Sequence, residues 1–130
     1  GIARGMFTED DLAEIHAKLK SMLARERAHV DAIYYCPHMP GNGCDCRKPG
    51  PGPIMRGAKE FNLVPEKCYV VGDKKTDVEF GKSCGAKTIL VMTGDGKEEK
   101  KLLGDVRPDW FAEDLARAVE VILKDIVKPA

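Results

Sequence analysis

The stretch CYVVGDKKTD, residues 68–77, decides the fold class, because an apolar run gives way to Gly-Asp and then to a helical pattern. Cys68–Val71 predict a short buried strand. Thr76 or Asp77 can open the helix that follows, and this helix should end at Cys84 before a glycine in the left-handed conformation. A strand that passes directly into a helix is typical of a β-α unit in a parallel sheet.

The same alternation of helices and strands continues on both sides of this stretch. Before this stretch, the pattern predicts a helix from Thr8 to about Ala28, a strand at Ala32–Tyr35, a Gly-, Pro- and Cys-rich loop at Cys36–Pro53 and a helix around Ile54–Phe61. After it, the pattern predicts a strand at Thr88–Val91, a helical or irregular segment at Lys97–Leu103, a strand at Trp110-Phe111 and a helix at Leu115–Val127. We find neither an internal repeat nor a linker, so we expect a single domain over residues 1–130.

This order predicts the α/β class, with a parallel sheet covered by helices on both faces. Sheets of this kind bind ligands beyond the carboxyl ends of their strands. Three features fall at predicted strand ends: the loop that starts at Cys36, Asp73, and Thr93-Gly94. We therefore expect the chemistry of the protein at this edge.

The composition restricts the function classes. Lys plus Arg and Asp plus Glu both number 21, so no net field draws the molecule to nucleic acid or to an anionic membrane. The sequence has neither an apolar run long enough to span a bilayer nor a secretory signal, and we expect a cytoplasmic location. Of the five cysteines, three crowd into Cys36–Cys46, whereas Cys68 and Cys84 are predicted to be small core residues.

The loop at 36–46 has the spacing of a zinc site. Cys36-x-His38 and Cys44-x-Cys46 supply two pairs of ligands, and Cys₃His is a common tetrahedral set for Zn²⁺. Because the protein would fill all four positions, such a site would be structural rather than hydrolytic. The alternative is three ordinary thiols and an unrelated histidine.

Two cations follow the last cysteine of this loop. Arg47 offers a planar fork of donors that suits phosphate or sugar hydroxyls, and Lys48 offers a compact point charge. Pro49 restricts Lys48 to an extended conformation, and a metal-bound loop would fix both side chains. Adjacent cations are otherwise usually solvated surface, so their role depends on the loop.

Gly72-Asp73-Lys74 could form a phosphate and metal site. Asp73 is a hard oxygen ligand of the kind that Mg²⁺ takes, with waters and a substrate phosphate completing the octahedron. Lys74 could neutralise phosphate oxygens, and Asp77 could either cap the helix or steady a lysine. Gly-Asp after a strand is also a common turn, and its position beside the other strand-end features favours the catalytic interpretation.

Four runs of the sequence, which include these motifs, are similar to those of a known family. The runs YYCPH (34–38), CDCRKP (44–49) and VVGDK (70–74), together with the opening GIARGMFT (1–8), resemble the heptose-bisphosphate phosphatases of the haloacid dehalogenase superfamily. The resemblance covers essentially the whole chain, and histidinol-phosphate phosphatases share the zinc loop. It implies a Rossmann-like fold with zinc held by the loop, magnesium bound by one strand-end carboxylate, and cations at the substrate phosphate. The residues so assigned are Cys36, His38, Cys44 and Cys46 for zinc, Asp73 for magnesium, and Arg47, Lys48 and Lys74 for substrate, with Lys48 stabilising the transferred phosphoryl group.

The resemblance also implies a reaction, which is hydrolysis of the 7-phosphate of D-glycero-D-manno-heptose 1,7-bisphosphate through an aspartyl-phosphate. The Asp-x-Asp motif that supplies the nucleophile in this family does not occur in the sequence. We therefore expect the nucleophile and the first two strands to lie upstream of Gly1, and residues 1–130 alone to be inactive. The complete protein is expected to be a monomer, and residues 1–130 could require the missing segment or a swapped partner chain.

Two other functions stay open at this point. One is histidinol-phosphate phosphatase, which shares the zinc loop. The other is a non-catalytic zinc-bearing module that binds phosphorylated sugars or a partner protein. The absent Asp-x-Asp favours the module, whereas the joint presence of Arg47, Lys48, Asp73 and Lys74 favours an enzyme.

Overall fold

A computed structural model describes residues 8–34 and 52–127 of the chain. The chain divides into two compact units, Gly1–Arg47 and Lys48–Ala130. Among the described residues, no helix combines the length and the apolar character that crossing a bilayer requires.

The described part of the first unit contains helix α1, Glu9–Arg25. Thr8 caps it as predicted: the Thr8 hydroxyl accepts a hydrogen bond from the Asp11 N–H at 3.1 Å, and the Asp11 carboxylate accepts one from the Thr8 N–H at 2.9 Å. The Thr8 N–H and hydroxyl lower the pKa of Asp11, because both interactions favour its charged form. The helix ends three residues before the predicted Ala28, and Arg27 follows it with a φ of 58°.

The predicted strand at Ala32–Tyr35 is not borne out where the structure describes it. Residues 32–34 carry no strand, and Tyr35 lies outside the described residues. An apolar, β-branched run gives only a propensity, since a strand exists when its N–H and C=O groups pair with a neighbouring chain. Within the described sheet, every ladder is formed by residues of the second unit.

The second unit is an alternating α/β structure. Its described part contains helix α2 (Gly52–Phe61), strand β1 (Tyr69–Gly72), helix α3 (Lys75–Ser83), strand β2 (Lys87–Val91), helix α4 (Gly96–Lys101), strand β3 (Trp110–Ala112) and helix α5 (Leu115–Ile126). The three strands are parallel and lie in the order β1-β2-β3. These elements follow the predicted order, and Gly85 ends α3 with a φ of 80°, as expected for a left-handed residue after a helix.

Strand β2 is central and divides the core into two sides. Ile89 and Val91 pack with Ala118 of α5 on one face, whereas Leu90 packs with Val78 of α3 on the other. Adjacent residues of a strand point to opposite faces, so a continuous apolar run is what a sheet covered on both faces requires. The predicted parallel sheet with helices on both faces is confirmed.

The two cysteines of this unit lie at the edge of the core rather than inside it. Cys68 and Cys84 are half-buried and free. Cys68 does not begin β1 as predicted, because its N–H closes a 3₁₀ turn at Pro65–Lys67 by donating to the Pro65 carbonyl at 2.9 Å. Its thiol donates to the Val64 carbonyl at 3.3 Å. The strand therefore starts one residue later.

A polar cluster joins α5 to the amino ends of the strands. The carboxylate of Asp125 accepts hydrogen bonds from the Tyr69 hydroxyl and, at 2.5 Å, from the Lys87 ammonium. The same ammonium lies 5.7 Å from the Tyr69 ring centre and 5.9 Å from that of Trp110. Tyr69, Lys87 and Trp110 are the first residues of β1, β2 and β3, so the cluster connects α5 to all three strands. We call Tyr69, Lys87, Trp110 and Asp125 the amino-edge cluster.

Candidate functional site at the carboxyl ends of the strands

The ends of β1 and β2 bring the predicted strand-end residues to one edge of the sheet. Asp73 follows β1 directly, and Gly94 and Asp95 follow β2. The strands run parallel, with Gly72 opposite Leu90, so both chains leave the sheet at the same side. This is the edge at which parallel sheets bind ligands.

Asp73 is held by the loop that follows β2. Its Oδ2 atom accepts a hydrogen bond from the Asp95 backbone N–H at 3.0 Å. Within the described residues, this bond leaves Oδ1 available for a cation. One carboxylate at a strand end, supplemented by waters and substrate phosphate, fits the way in which Mg²⁺ is usually bound in phosphate sites.

Gly94 permits this contact. Its φ of 59° lies in the left-handed region, and a Cβ atom at this position would lie 2.3 Å from Asp73 Oδ2. Any side chain would therefore strain the backbone and also displace the carboxylate. The close approach between the two loops requires glycine at position 94.

Asp77 caps helix α3, whereas the Lys74 side chain forms an ion pair with Asp95. The Lys74 N–H donates to Asp77 Oδ2 at 3.1 Å, so Asp77, which is only 6% exposed, caps the first turn of α3. The Lys74 ammonium lies 3.5 Å from Asp95 Oδ2. Of the two roles predicted for Asp77, the structure shows the cap, and Lys74 is paired with a residue from the neighbouring strand end.

The remaining predicted site residues lie outside the described residues, namely Cys36, His38, Cys44, Cys46, Arg47 and Lys48. Their assignments stay predictions. Within residues 8–34 and 52–127, no group of three His, Cys, Asp or Glu side chains is arranged to hold a metal ion. The magnesium assignment therefore depends on Asp73 with non-protein oxygens, or with groups beyond those ranges.

Asp95 is a site residue that the sequence does not single out. Thr93-Gly94 is recognisable as a strand end, but the acid after it is unremarkable without its partners. Its two contacts connect residues more than 20 positions apart, and they arise because β1 and β2 are neighbours in the sheet. The available signal is Gly-Asp at the end of β2, which repeats the Gly-Asp at the end of β1.

A pocket of about 280 Å³ lies elsewhere, beside the amino-edge cluster. Trp110, Val121, Lys124 and Asp125 line it. Since Trp110 begins β3, this pocket is at the amino ends of the strands and far from the edge that carries Asp73. We do not assign the phosphate chemistry to it.

The chain is similar to known phosphatases. The family model of HAD-hydrolase-like proteins matches residues 45–118. The D-glycero-β-D-manno-heptose-1,7-bisphosphate 7-phosphatase of Pseudomonas aeruginosa is 34% identical over 126 residues, which cover 95% of this chain and 69% of that protein. The same-named protein of Pseudomonas putida is 42% identical over 97 residues, 75% of this chain.

Among solved structures, the D,D-heptose 1,7-bisphosphate phosphatase of Bordetella bronchiseptica, crystallised with magnesium and phosphate, superposes with a TM-score of 0.89. It is 36% identical, and the match covers 96% of this chain and 70% of that one. The chain spans 55% and 60% of the length of the relatives from P. putida and Pasteurella multocida.

Proposed function

Because the chain belongs to the HAD-hydrolase-like family, we propose that the protein is a Mg²⁺-dependent phosphatase that hydrolyses the 7-phosphate of D-glycero-D-manno-heptose 1,7-bisphosphate. The observation that carries the proposal is the pairing of Asp73 with the Asp95 N–H at the carboxyl edge of the sheet, with Lys74 beside it. This arrangement presents a fixed carboxylate oxygen and a cation together, which phosphate-ester chemistry requires.

Asp73 would hold magnesium, whose positive charge would offset the charge that develops on the transferred phosphoryl group. The B. bronchiseptica structure, which contains magnesium and phosphate, supports this choice of metal. Lys74, with Arg47 and Lys48 from the loop, would bind phosphate oxygens, and Lys48 would stabilise the phosphoryl group in the transition state. The nucleophilic aspartate is not assigned to any residue of the chain.

We also propose that Cys36, His38, Cys44 and Cys46 bind one structural Zn²⁺. The support is their number, type and spacing within eleven residues, which match a closed tetrahedral site. Such a site would hold Arg47 and Lys48 rigidly next to the last ligand. Reduced thiolate ligands fit a cytoplasmic protein, and we propose that compartment and a monomeric state.

The proposal is tested by phosphate release from heptose 1,7-bisphosphate, with protein expressed from the full reading frame that contains residues 1–130. We expect turnover that requires Mg²⁺ and falls by at least about two orders of magnitude in Asp73→Asn, since an amide is a far weaker magnesium ligand. Asp105→Asn is the matched control, because Asp105 is exposed and its substitution removes the same charge. Activity that is independent of Mg²⁺, or equal in Asp73→Asn and wild type, would contradict the proposal.

A further inference from the structure

Asp95 makes two contacts that converge on the proposed phosphate site. Its backbone N–H donates to Asp73 Oδ2 at 3.0 Å, and its carboxylate lies 3.5 Å from the Lys74 ammonium. We propose that Asp95 is a positioning residue, which orients Asp73 through its backbone and Lys74 through its side chain so that both serve one bound phosphate. The inference rests on the proposed function, because it deepens the account of the same site.

The ion pair between Lys74 and Asp95 is placed for orientation rather than for stability. The two side chains are 53% and 64% exposed, and exposed pairs contribute little to folding because water screens them. An ammonium on a four-carbon stem has many rotamers, and a fixed partner reduces the number that it samples. Reducing this freedom before the substrate arrives lowers the entropic cost of binding.

The direction in which Lys74 is held also matters. Lys74 follows Asp73 in the chain, and an unrestrained ammonium could pair with the Asp73 carboxylate and compete with the metal ion. Asp95 comes from the loop after β2, and it draws the ammonium toward that loop. Oδ1 of Asp73 then stays available for the cation, while Oδ2 is engaged by the Asp95 N–H.

The effect of removing the Asp95 carboxylate on phosphate binding depends on whether Asp95 positions Lys74 or only repels the phosphate. An unpaired negative charge repels phosphate, so its removal should strengthen phosphate binding. If Asp95 instead acts through Lys74, its removal should weaken phosphate binding. The sign of the change therefore distinguishes positioning from simple repulsion.

The test is a double-mutant cycle with Asp95→Asn, Lys74→Gln and the two combined, in protein from the full reading frame. Asn keeps the backbone N–H to Asp73 and removes only the charge. We expect Asp95→Asn to weaken the binding of inorganic phosphate in the presence of Mg²⁺, measured by titration calorimetry, about fivefold. The combined variant should bind no more weakly than Lys74→Gln alone, because Asp95 acts through Lys74.

Two further variants sharpen the result. Asp95→Glu keeps the carboxylate and should bind phosphate more tightly than Asp95→Asn. Glu98→Gln, which removes one charge from α4 at an exposed residue paired with Lys101, should leave phosphate binding unchanged. For sugar-phosphate hydrolysis, we expect Asp95→Asn to raise KM more than it lowers kcat, because a substrate-binding cation is affected.

Tighter phosphate binding in Asp95→Asn, or additive losses in the cycle, would overturn the positioning role even if the wild-type protein is an active phosphatase. Wild-type protein that releases no phosphate, and whose phosphate binding does not depend on Mg²⁺, would instead refute the proposed function. Phosphate binding that responds to Lys74→Gln and Asp95→Asn as a coupled pair, without turnover, would support the positioning role and refute only the enzymatic proposal.

Discussion

Asp73 and Gly94 constrain each other at the scale of single residues. The carboxylate can accept the Asp95 N–H only because position 94 has no side chain, since a Cβ atom there would lie 2.3 Å from Asp73 Oδ2. Gly104 has the same φ of 59°, but a Cβ atom at that position would meet nothing within 4 Å among the described residues. Substitution of either glycine therefore strains a left-handed backbone, but only a side chain at position 94 would also clash with Asp73.

This difference gives a matched pair of variants. Gly94→Ala and Gly104→Ala should both lose about 1–2 kcal/mol of unfolding free energy from the left-handed backbone. Only Gly94→Ala should also displace Asp73, and we expect it to weaken Mg²⁺ binding at least about tenfold. Urea unfolding and Mg²⁺ titration of both variants measure the two effects. Equal Mg²⁺ affinities in the two variants would show that Asp73 does not need the close approach.

Among helices and strands, the sequence predicts the features that depend on residues close together in the chain, such as the two ends of a helix. The Thr8 cap and Gly85 at the end of α3 follow from residue types at fixed offsets, and the structure has both. For Asp77 the sequence leaves two roles open, and the structure shows the cap. The strand predicted at Ala32–Tyr35 is wrong over residues 32–34, the part that the structure describes, because pairing depends on a partner that local pattern does not specify.

Only part of the candidate site can be predicted from the sequence. Asp73 and Lys74 follow from a strand that ends in a polar motif before a helix. Asp95 cannot be inferred as their partner, since its contacts depend on which strands are neighbours and on their register. The amino-edge cluster is hidden from the sequence for the same reason, because it assembles residues from three strands and the last helix.

The amino-edge cluster predicts how stability depends on pH. Asp125 raises the pKa of the Tyr69 phenol and of the Lys87 ammonium, because it accepts a hydrogen bond from each protonated group. A group whose pKa is raised on folding stabilises the folded state fully below its unfolded pKa, here about 10 for both groups. This stabilisation is lost as the pH rises through the higher folded values.

Asp125→Asn tests this dependence. We expect the variant to unfold at lower urea concentration than wild type at pH 8, and the difference between the two to shrink above about pH 10. Glu120→Gln is the control on the same helix, since Glu120 pairs with Arg117 at the surface. Absorbance titration of the phenols should show a tyrosine with a raised pKa in wild type that is absent from Tyr69→Phe. A pH-independent difference between Asp125→Asn and wild type would exclude this linkage.

At the scale of the whole molecule, the proposed zinc site predicts a count of reactive thiols. The chain has five cysteines, and Cys68 and Cys84 are the free thiols among the described residues, which leaves three for the loop. Zinc-bound thiolates react slowly, so with a disulfide reagent residues 1–130 should contribute two reactive thiols in the native protein and five after chelation and unfolding. Metal analysis should find about one Zn²⁺ per chain, and five reactive thiols from residues 1–130 in the untreated protein would refute the site.

Substrate choice depends on the charges that the complete site presents. Lys74 lies at the carboxyl edge beside Asp73, and Arg47 and Lys48 are proposed to join it from the loop. One transferred phosphate needs only part of this positive charge. A second anion on the substrate would account for the rest, because Arg47 can grip a phosphate with two parallel hydrogen bonds.

Heptose 1,7-bisphosphate carries that second anion, whereas histidinol phosphate carries an ammonium group at its far end. The cations would repel this ammonium, and the Asp95 carboxylate, which would attract it, is paired with Lys74. We therefore expect kcat/KM to favour the heptose bisphosphate by at least about tenfold, a difference of about 1.4 kcal/mol in transition-state binding. Arg47→Ala should reduce this preference by lowering kcat/KM for the bisphosphate alone. A preference for histidinol phosphate would reassign the substrate and leave the family and the magnesium chemistry in place, since both substrates present the same phosphate ester to Asp73.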